Sequence, residues 1–203
     1  MEPTLLFESH LTVAATELTA FRAACVALGV KCVIIDLPAG QWPLQPMTSC
    51  HHRGSLPAVR QQVQALAAEL TRRGFSVQRA KIEAVGPHHD LPEHDAEAEP
   101  GRYFEHHARL ALPGDHDLMA LAAACRLQGA HLSRNALRHD PTGVATRFVT
   151  RRGFGVGRAT AEAAFEVVLA MLRARGLTPR RVQREYAVLD TNLELDRGWI
   201  DPL

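Results

Sequence analysis

The chain repeats itself. Residues 18–29 (LTAFRAACVALG) laid over residues 118–129 (LMALAAACRLQG) are identical at six of twelve positions. Two further pairs fall in the same order: FESHLTV (7–13) with FEHHARL (104–110), and RRGFSVQRAKIE (72–83) with ARGLTPRRVQRE (174–185). The three offsets are 97, 100 and 102 residues. A duplication constrains the fold more than composition does, because one architecture has to serve both halves.

Each half reads as the same succession of elements. A strand (5–13; 103–112) leads to an amphipathic helix (about 17–28; 117–128) that stops at Gly29 or Gly129, the common end of a helix. A second strand (31–37; 131–138), a Pro/Gly-rich turn and a third strand (47–52; 145–151) follow. A longer helix (57–73; 159–175) ends at Gly74 or Gly176, and a fourth strand (76–85; 180–189) closes the half. This order, βαββαβ twice, predicts an α+β protein made by tandem duplication of a ferredoxin-like unit. Helices would cover one face of each of two antiparallel sheets, and the two open faces would form a cleft. The expected organisation is a first repeat over 1–85, an acidic Pro/His linker over 86–100, a second repeat over 101–189 and a tail over 190–203. The tail is expected to pack Trp199 and Ile200 onto the body. Three linker histidines, His88, His89 and His94, have metal-binding side chains, but a flexible acidic segment presents them poorly.

Alternation along the first strand separates two sets of side chains. Phe7, Ser9, Leu11 and Val13 share one face, and Glu8, His10 and Thr12 the other. In the second half Phe104, His106, Ala108 and Leu110 oppose Glu105, His107 and Arg109. The apolar sets belong against the helices, which leaves Glu-x-His on the open faces. Matching Arg53-Gly54 with Arg152-Gly153 places His52 opposite Arg151 and Thr48 opposite Arg147, and the fourth strands add Lys81 and Glu83, matched by Gln183 and Glu185. The expected cleft therefore holds two histidines, several carboxylates and several arginines. In the plainer alternative, Glu and His are cross-strand partners on a solvated face.

Three chemistries suit such a face. In the first, His10 and His107, each beside a glutamate (Glu8, Glu105), act as acid and base on a phosphoester, since imidazole titrates near neutrality. Arg109, Arg134, Arg147 and Arg151 would neutralise phosphate oxygens, with Thr12, His52, Asn135 and Arg158 as further substrate contacts. His10-Leu11-Thr12-Val13 resembles the His-x-Thr/Ser motif of the bilobal 2H phosphoesterases, whose two related lobes each present such a motif to a cleft. The resemblance implies hydrolysis of cyclic phosphates or RNA-end phosphodiesters with no cofactor. It covers the two-lobe plan and one tetrapeptide. The second copy departs from it, because Arg109 stands where Thr or Ser is expected, and His131-Leu132-Ser133-Arg134 fits by spelling on the wrong strand.

In the second chemistry Glu8, His10, Glu105 and His107 ligate a divalent metal, a donor set suited to Zn, Fe or Mn. The third is non-catalytic binding of a ligand or partner chain. The glycine-rich turn 151–158 before the last helix offers backbone N–H groups to an anion, with Arg158 adjacent, or is a plain connection.

Composition narrows the partners. A net charge of +1 gives no broad nucleic-acid-binding field, and 5% aromatics gives no stacking platform for single strands. The expected partner is a phosphate-bearing small molecule or nucleotide. The N-terminus lacks a basic, then apolar, signal pattern, and no apolar run approaches bilayer length, so a cytoplasmic protein away from membranes is expected. Four cysteines without a C-x-x-C pair argue for reduced, core-packing thiols.

Overall fold

A computed structural model describes residues 5–86, 91–137 and 144–200. His88 and His89 of the expected linker, residues 138–143 and the last three residues of the tail lie outside the described residues.

The first half runs β1 (Leu6–Val13), α1 (Leu18–Ala27), β2 (Lys31–Asp36), β3 (Leu44–Arg53), α2 (Leu56–Arg72) and β4 (Val77–Val85). The second runs β5 (Tyr103–Leu112), α3 (Leu118–Arg126), β6 (Ala130–Asn135), β7 (Ala145–Phe154), α4 (Arg158–Ala174) and β8 (Arg181–Asp190). Short 3-10 turns stand at Asp95–Glu97 and Leu193–Asp196. Among the described residues no helix is long and apolar enough to cross a membrane.

The helices cover the outside of the sheet because their apolar stripes match the apolar set of each strand. Phe7, Leu11 and Val13 of β1 pack with Phe21 and Cys25 of α1 and with Val59, Val63 and Leu70 of α2. In the second half Ala108, Leu110 and Leu112 pack with Leu121 and Cys125 of α3 and with Phe165, Val168 and Leu172 of α4. Each large side chain buried here contributes about 1.5–3 kcal/mol. The cysteines are free thiols, and Cys25 and Cys125 are buried among these apolar groups.

The expectation of two ferredoxin-like sheets with open faces across a cleft is corrected. The eight strands form one closed barrel in the order β1-β3-β2-β6-β7-β5-β8-β4. Within each half the pairing is β4-β1-β3-β2 or β8-β5-β7-β6, all antiparallel, which leaves two edges per half. Those edges join instead of staying exposed: β4 pairs with β8 over Lys81↔Asp190 to Val85↔Glu185, and β2 with β6 at Ile35↔Asn135 and Asp36↔Arg134. Joining both edges satisfies backbone groups that open sheets would leave unpaired. What faced an imagined cleft therefore faces a lumen.

The two seams locate a pseudo-twofold axis. Ala84 pairs with Tyr186 and Ile35 with Asn135, and in each pair the partners are repeat equivalents. The axis crosses the barrel from wall to wall at these pairs, so each mouth is built from opposite ends of the two halves.

Candidate functional site

Each strand sends alternate side chains into the lumen. From β1 these are Glu8, His10 and Thr12, and from β5 Glu105, His107 and Arg109. The first and fourth strands of each half are neighbours, with Glu8 opposite Glu83 and Glu105 opposite Glu185. Each Glu-x-His is thereby completed by a second glutamate, giving Glu8–His10–Glu83 and Glu105–His107–Glu185. Both sets line one cavity of about 240 Å³.

The two histidines are held in the same way. His10 Nδ1 donates to the Thr48 carbonyl oxygen at 3.0 Å, and His107 Nδ1 lies 2.8 Å from Thr150 Oγ1. Each Nε2 then points between two carboxylates. His10 Nε2 is 3.3 Å from Glu83 Oε2 and 3.7 Å from Glu8 Oε1, while His107 Nε2 is 3.2 Å from Glu105 Oε1 and 3.4 Å from Glu185 Oε2. Charge-assisted hydrogen bonds of this type close to about 2.7–2.9 Å. By contrast, two ligands on one tetrahedral ion with bonds of about 2.0–2.1 Å stand about 3.3 Å apart. The four separations match ligand spacing better than hydrogen-bond spacing. One ligand atom each from Glu83, Glu105 and His107 lies within 4.8 Å of the others, so among the described residues the three-ligand group is drawn from both sets, which meet near the middle of the barrel, and neither set forms one by itself.

Lys81 joins them, with Nζ 2.6 Å from Glu83 Oε1 and 2.8 Å from Glu105 Oε1. Burial disfavours charge throughout, and partners reverse that for most groups. Burial raises the Glu83 carboxyl, but the Lys81 ammonium brings it down to about 2. Burial likewise raises Glu105, and Arg152 and Lys81 hold it well below the carboxylate range. Burial lowers the His107 imidazole, and the carboxylates of Glu105 and Glu185 beside it more than offset this, leaving it at about 10. His10 is raised despite burial, chiefly through Glu83. Glu185 is raised, first by burial and then by Glu83.

One end of the lumen is sealed by the tail. Asp196 Oδ2 accepts from Arg79 Nη1 at 2.9 Å and from Arg152 Nη2 at 2.7 Å, and its Oδ1 accepts from Gln45 Nε2 at 3.0 Å. Arg152 also pairs with Glu105, and Arg79 Nε donates to Asp190 Oδ1 at 2.8 Å. Trp199 and Ile200 bury beside Leu37, and Trp199 Nε1 donates to the Leu132 carbonyl at 3.0 Å.

The sequence-predicted residues divide between the lumen and the outside. Glu8, His10, Thr12, Glu105, His107, Arg109 and Asn135 all line the cavity. His52 does not: it lies outside the barrel, between Ser9 Oγ at 2.7 Å and Gln62 Oε1 at 2.8 Å, and His51 takes the lumen position. Arg147 and Arg151 pair across β5 with Leu110 and His106, members of the helix-facing set. Arg151 Nε donates to the Gln128 carbonyl at 3.3 Å and Arg147 Nη1 to the Thr146 carbonyl at 3.0 Å. Arg134 is a seam contact, its Nε 2.6 Å from Asp36 Oδ2. Arg158 pairs with Glu93, and Gly157 N–H at the α4 N-terminus donates to Asp95 Oδ1 at 2.8 Å, so a carboxylate of this chain takes the anion position there. The first-half counterpart of Arg152 is His51, opposite Glu8 as Arg152 is opposite Glu105.

Hydrolysis of a phosphoester by an imidazole base facing an imidazolium acid requires one neutral ring. Flanking carboxylates raise both imidazoles here, which favours the charged ring over the neutral base that such hydrolysis needs.

No family model matches the chain, and no curated protein matches it significantly. Among solved structures it is similar to crystal structures of chlorite dismutase from Candidatus Nitrospira defluvii. A doubly substituted mutant is 10% identical over 96% of this chain and 95% of that chain, with a TM-score of 0.30. A singly substituted mutant is 11% identical over 97% and 94%, also at 0.30. At those TM-scores the likeness carries no argument about this chain.

Proposed function

We propose that the protein binds a divalent transition-metal cation in the barrel lumen, through Glu8, His10 and Glu83 and through the equivalent Glu105, His107 and Glu185. The observation that carries this reading is the spacing of each Nε2 from its two carboxylates, 3.3 and 3.7 Å in one set and 3.2 and 3.4 Å in the other. Imidazole nitrogen with carboxylate oxygen suits Zn, Mn or Fe over Mg or Ca. The Nδ1 contacts to the Thr48 carbonyl and Thr150 hydroxyl supply the outer hydrogen bond that orients a metal-ligating histidine. A cation would bind at Nε2, and its charge would balance glutamates that are otherwise answered by Lys81, Arg152 and the two imidazoles, both raised by those glutamates.

Elemental analysis of the purified chain, followed by calorimetric titration of the chelator-stripped protein with zinc and manganese, tests the proposal. Stoichiometric binding that is lost in His10→Ala/His107→Ala, with the barrel intact by circular dichroism, is the expected outcome. Binding unchanged in that double variant, or none at all, would sink it.

A further inference from the structure

The pseudo-twofold axis relates the two mouths of the barrel, yet among the described residues only one is closed. At the closed mouth the Asp196 carboxylate bridges Arg79 and Arg152, and all three side chains are at most 5% exposed. Their equivalents at the other mouth follow from the strand register. Arg79 stands opposite Thr12 on β1 as Arg181 stands opposite Arg109 on β5. Arg152 stands opposite Glu105 as His51 stands opposite Glu8. The open mouth therefore presents Arg181 and His51 where the closed one presents Arg79 and Arg152. Arg181 is exposed and the His51 side chain is 58% exposed.

The two ends differ in a second respect. Where the closed mouth has Thr12, the open one has Arg109, which adds a guanidinium to the same wall of the cavity. Gln183, one step deeper on β8, adds an amide. Among the described residues no carboxylate lies within ion-pair distance of the Arg181 side chain. Symmetry thus supplies the geometry of a carboxylate-binding pair of side chains, and among the described residues a carboxylate from the tail fills one of the two places.

We propose that the open mouth is an oxyanion site. Arg181 and His51, flanked by Arg109, hold a carboxylate or phosphate group of a small molecule in the position that the Asp196 carboxylate takes at the closed end. Planar guanidinium donors match either group. The site lies beside Glu8 and His10, so a ligand anchored there extends toward the Glu8–His10–Glu83 set. His51 Nε2 also lies 3.5 Å from Glu8 Oε2, as Arg152 pairs with Glu105 at the closed end, whereas Arg181 and Arg109 belong to neither Glu–His–Glu set, so the anion site can be tested with no metal present.

The test uses the full chain, stripped of metal and kept in chelator. Thermal unfolding is followed with sodium phosphate, sodium succinate and sodium chloride at matched ionic strength, for wild type, Arg181→Gln, His51→Asn and, as an outer-surface control, Arg184→Gln. Stabilisation by phosphate or succinate beyond that of chloride is expected, with apparent affinity weakened about tenfold in Arg181→Gln and in His51→Asn, the loss of one hydrogen-bonded contact. Arg184→Gln should behave as wild type. A response to phosphate alone identifies a phosphate ligand, and one to succinate alone a carboxylate ligand. No stabilisation beyond chloride by either anion, or equal stabilisation in Arg181→Gln and wild type, overturns the proposal. Metal stoichiometry is read in a separate titration, so failure of either idea is visible without the other.

Discussion

Lys81 reaches from the first half of the chain to Glu105 of the second, its Nζ 2.8 Å from Oε1, while also pairing with Glu83 at 2.6 Å. It is the buried cation that ties the two Glu–His–Glu sets together. Replacing it with an apolar group of similar length leaves two buried carboxylates facing one another. Lys81→Met is therefore expected to cost about 3–5 kcal/mol in urea unfolding of the metal-free protein. Zinc should restore part of that loss by supplying the missing positive charge. A variant as stable as wild type would show that the two glutamates find other partners.

Acid should open the sealed end. Burial alone would raise the Asp196 carboxyl, but Arg152 and Arg79 hold it below the ordinary carboxylate range. A carboxyl depressed in the folded state contributes stability that is present above its unfolded value, about 3.9, and lost as pH falls through the lower folded value. Trp199 reports on the same plug, being 6% exposed, whereas Trp42 is already 53% exposed. Below about pH 4 the tryptophan emission should shift to the red, and Asp196→Asn should show that shift at neutral pH. Unchanged emission in Asp196→Asn would mean that the apolar contacts of Trp199 and Ile200 hold the plug by themselves.

Residues 91–98 are anchored to the start of α4 at close quarters. A Cβ on Gly157 would stand 2.4 Å from the His94 carbonyl carbon and 2.5 Å from the Glu93 oxygen, both backbone atoms that cannot turn aside. Gly157→Ala should destabilise by about 1–3 kcal/mol and free this segment. Limited proteolysis should then cut within 91–100 faster than in wild type, and equal cutting rates would contradict the close approach.

Phe165 is fully buried under the second half of the barrel, with the His106 ring at its edge. Phe165→Ala should cost about 3–5 kcal/mol through lost burial and the cavity left behind. The metal stoichiometry of the folded fraction should not change, because no ligand candidate rests on that ring. A change in stoichiometry would show that the outer core sets the lumen geometry.

The face carrying the candidate ligands was legible in β1 and β5, where polar and apolar residues alternate cleanly: Glu8, His10 and Thr12 all reach the lumen. The third strands of each half have no such phase. Along β3 both Met47-Ser49-His51 and Thr48-Cys50-His52 mix polar and apolar groups, and β7 likewise divides Phe148-Thr150-Arg152 from Val149-Arg151 without a polar side. Alternation says which residues share a face, and only register against β1 or β5 says which face that is. This is why His52 and Arg151 stood in for His51 and Arg152. Asp196 was hidden for another reason: it reaches the site from a 3-10 turn beyond the repeat, where no periodicity operates. Closure of the barrel was also illegible, since the β2–β6 and β4–β8 seams are made by backbone groups that leave little trace in side-chain patterns.

A tail that plugs one mouth turns a tube into a cup. Two identical chains meeting about the same axis would carry two tails and block both entrances, or none and leave a channel open at each end. Fusion into one polypeptide leaves one tail for two ends, and among the described residues this gives the interior a floor and a rim.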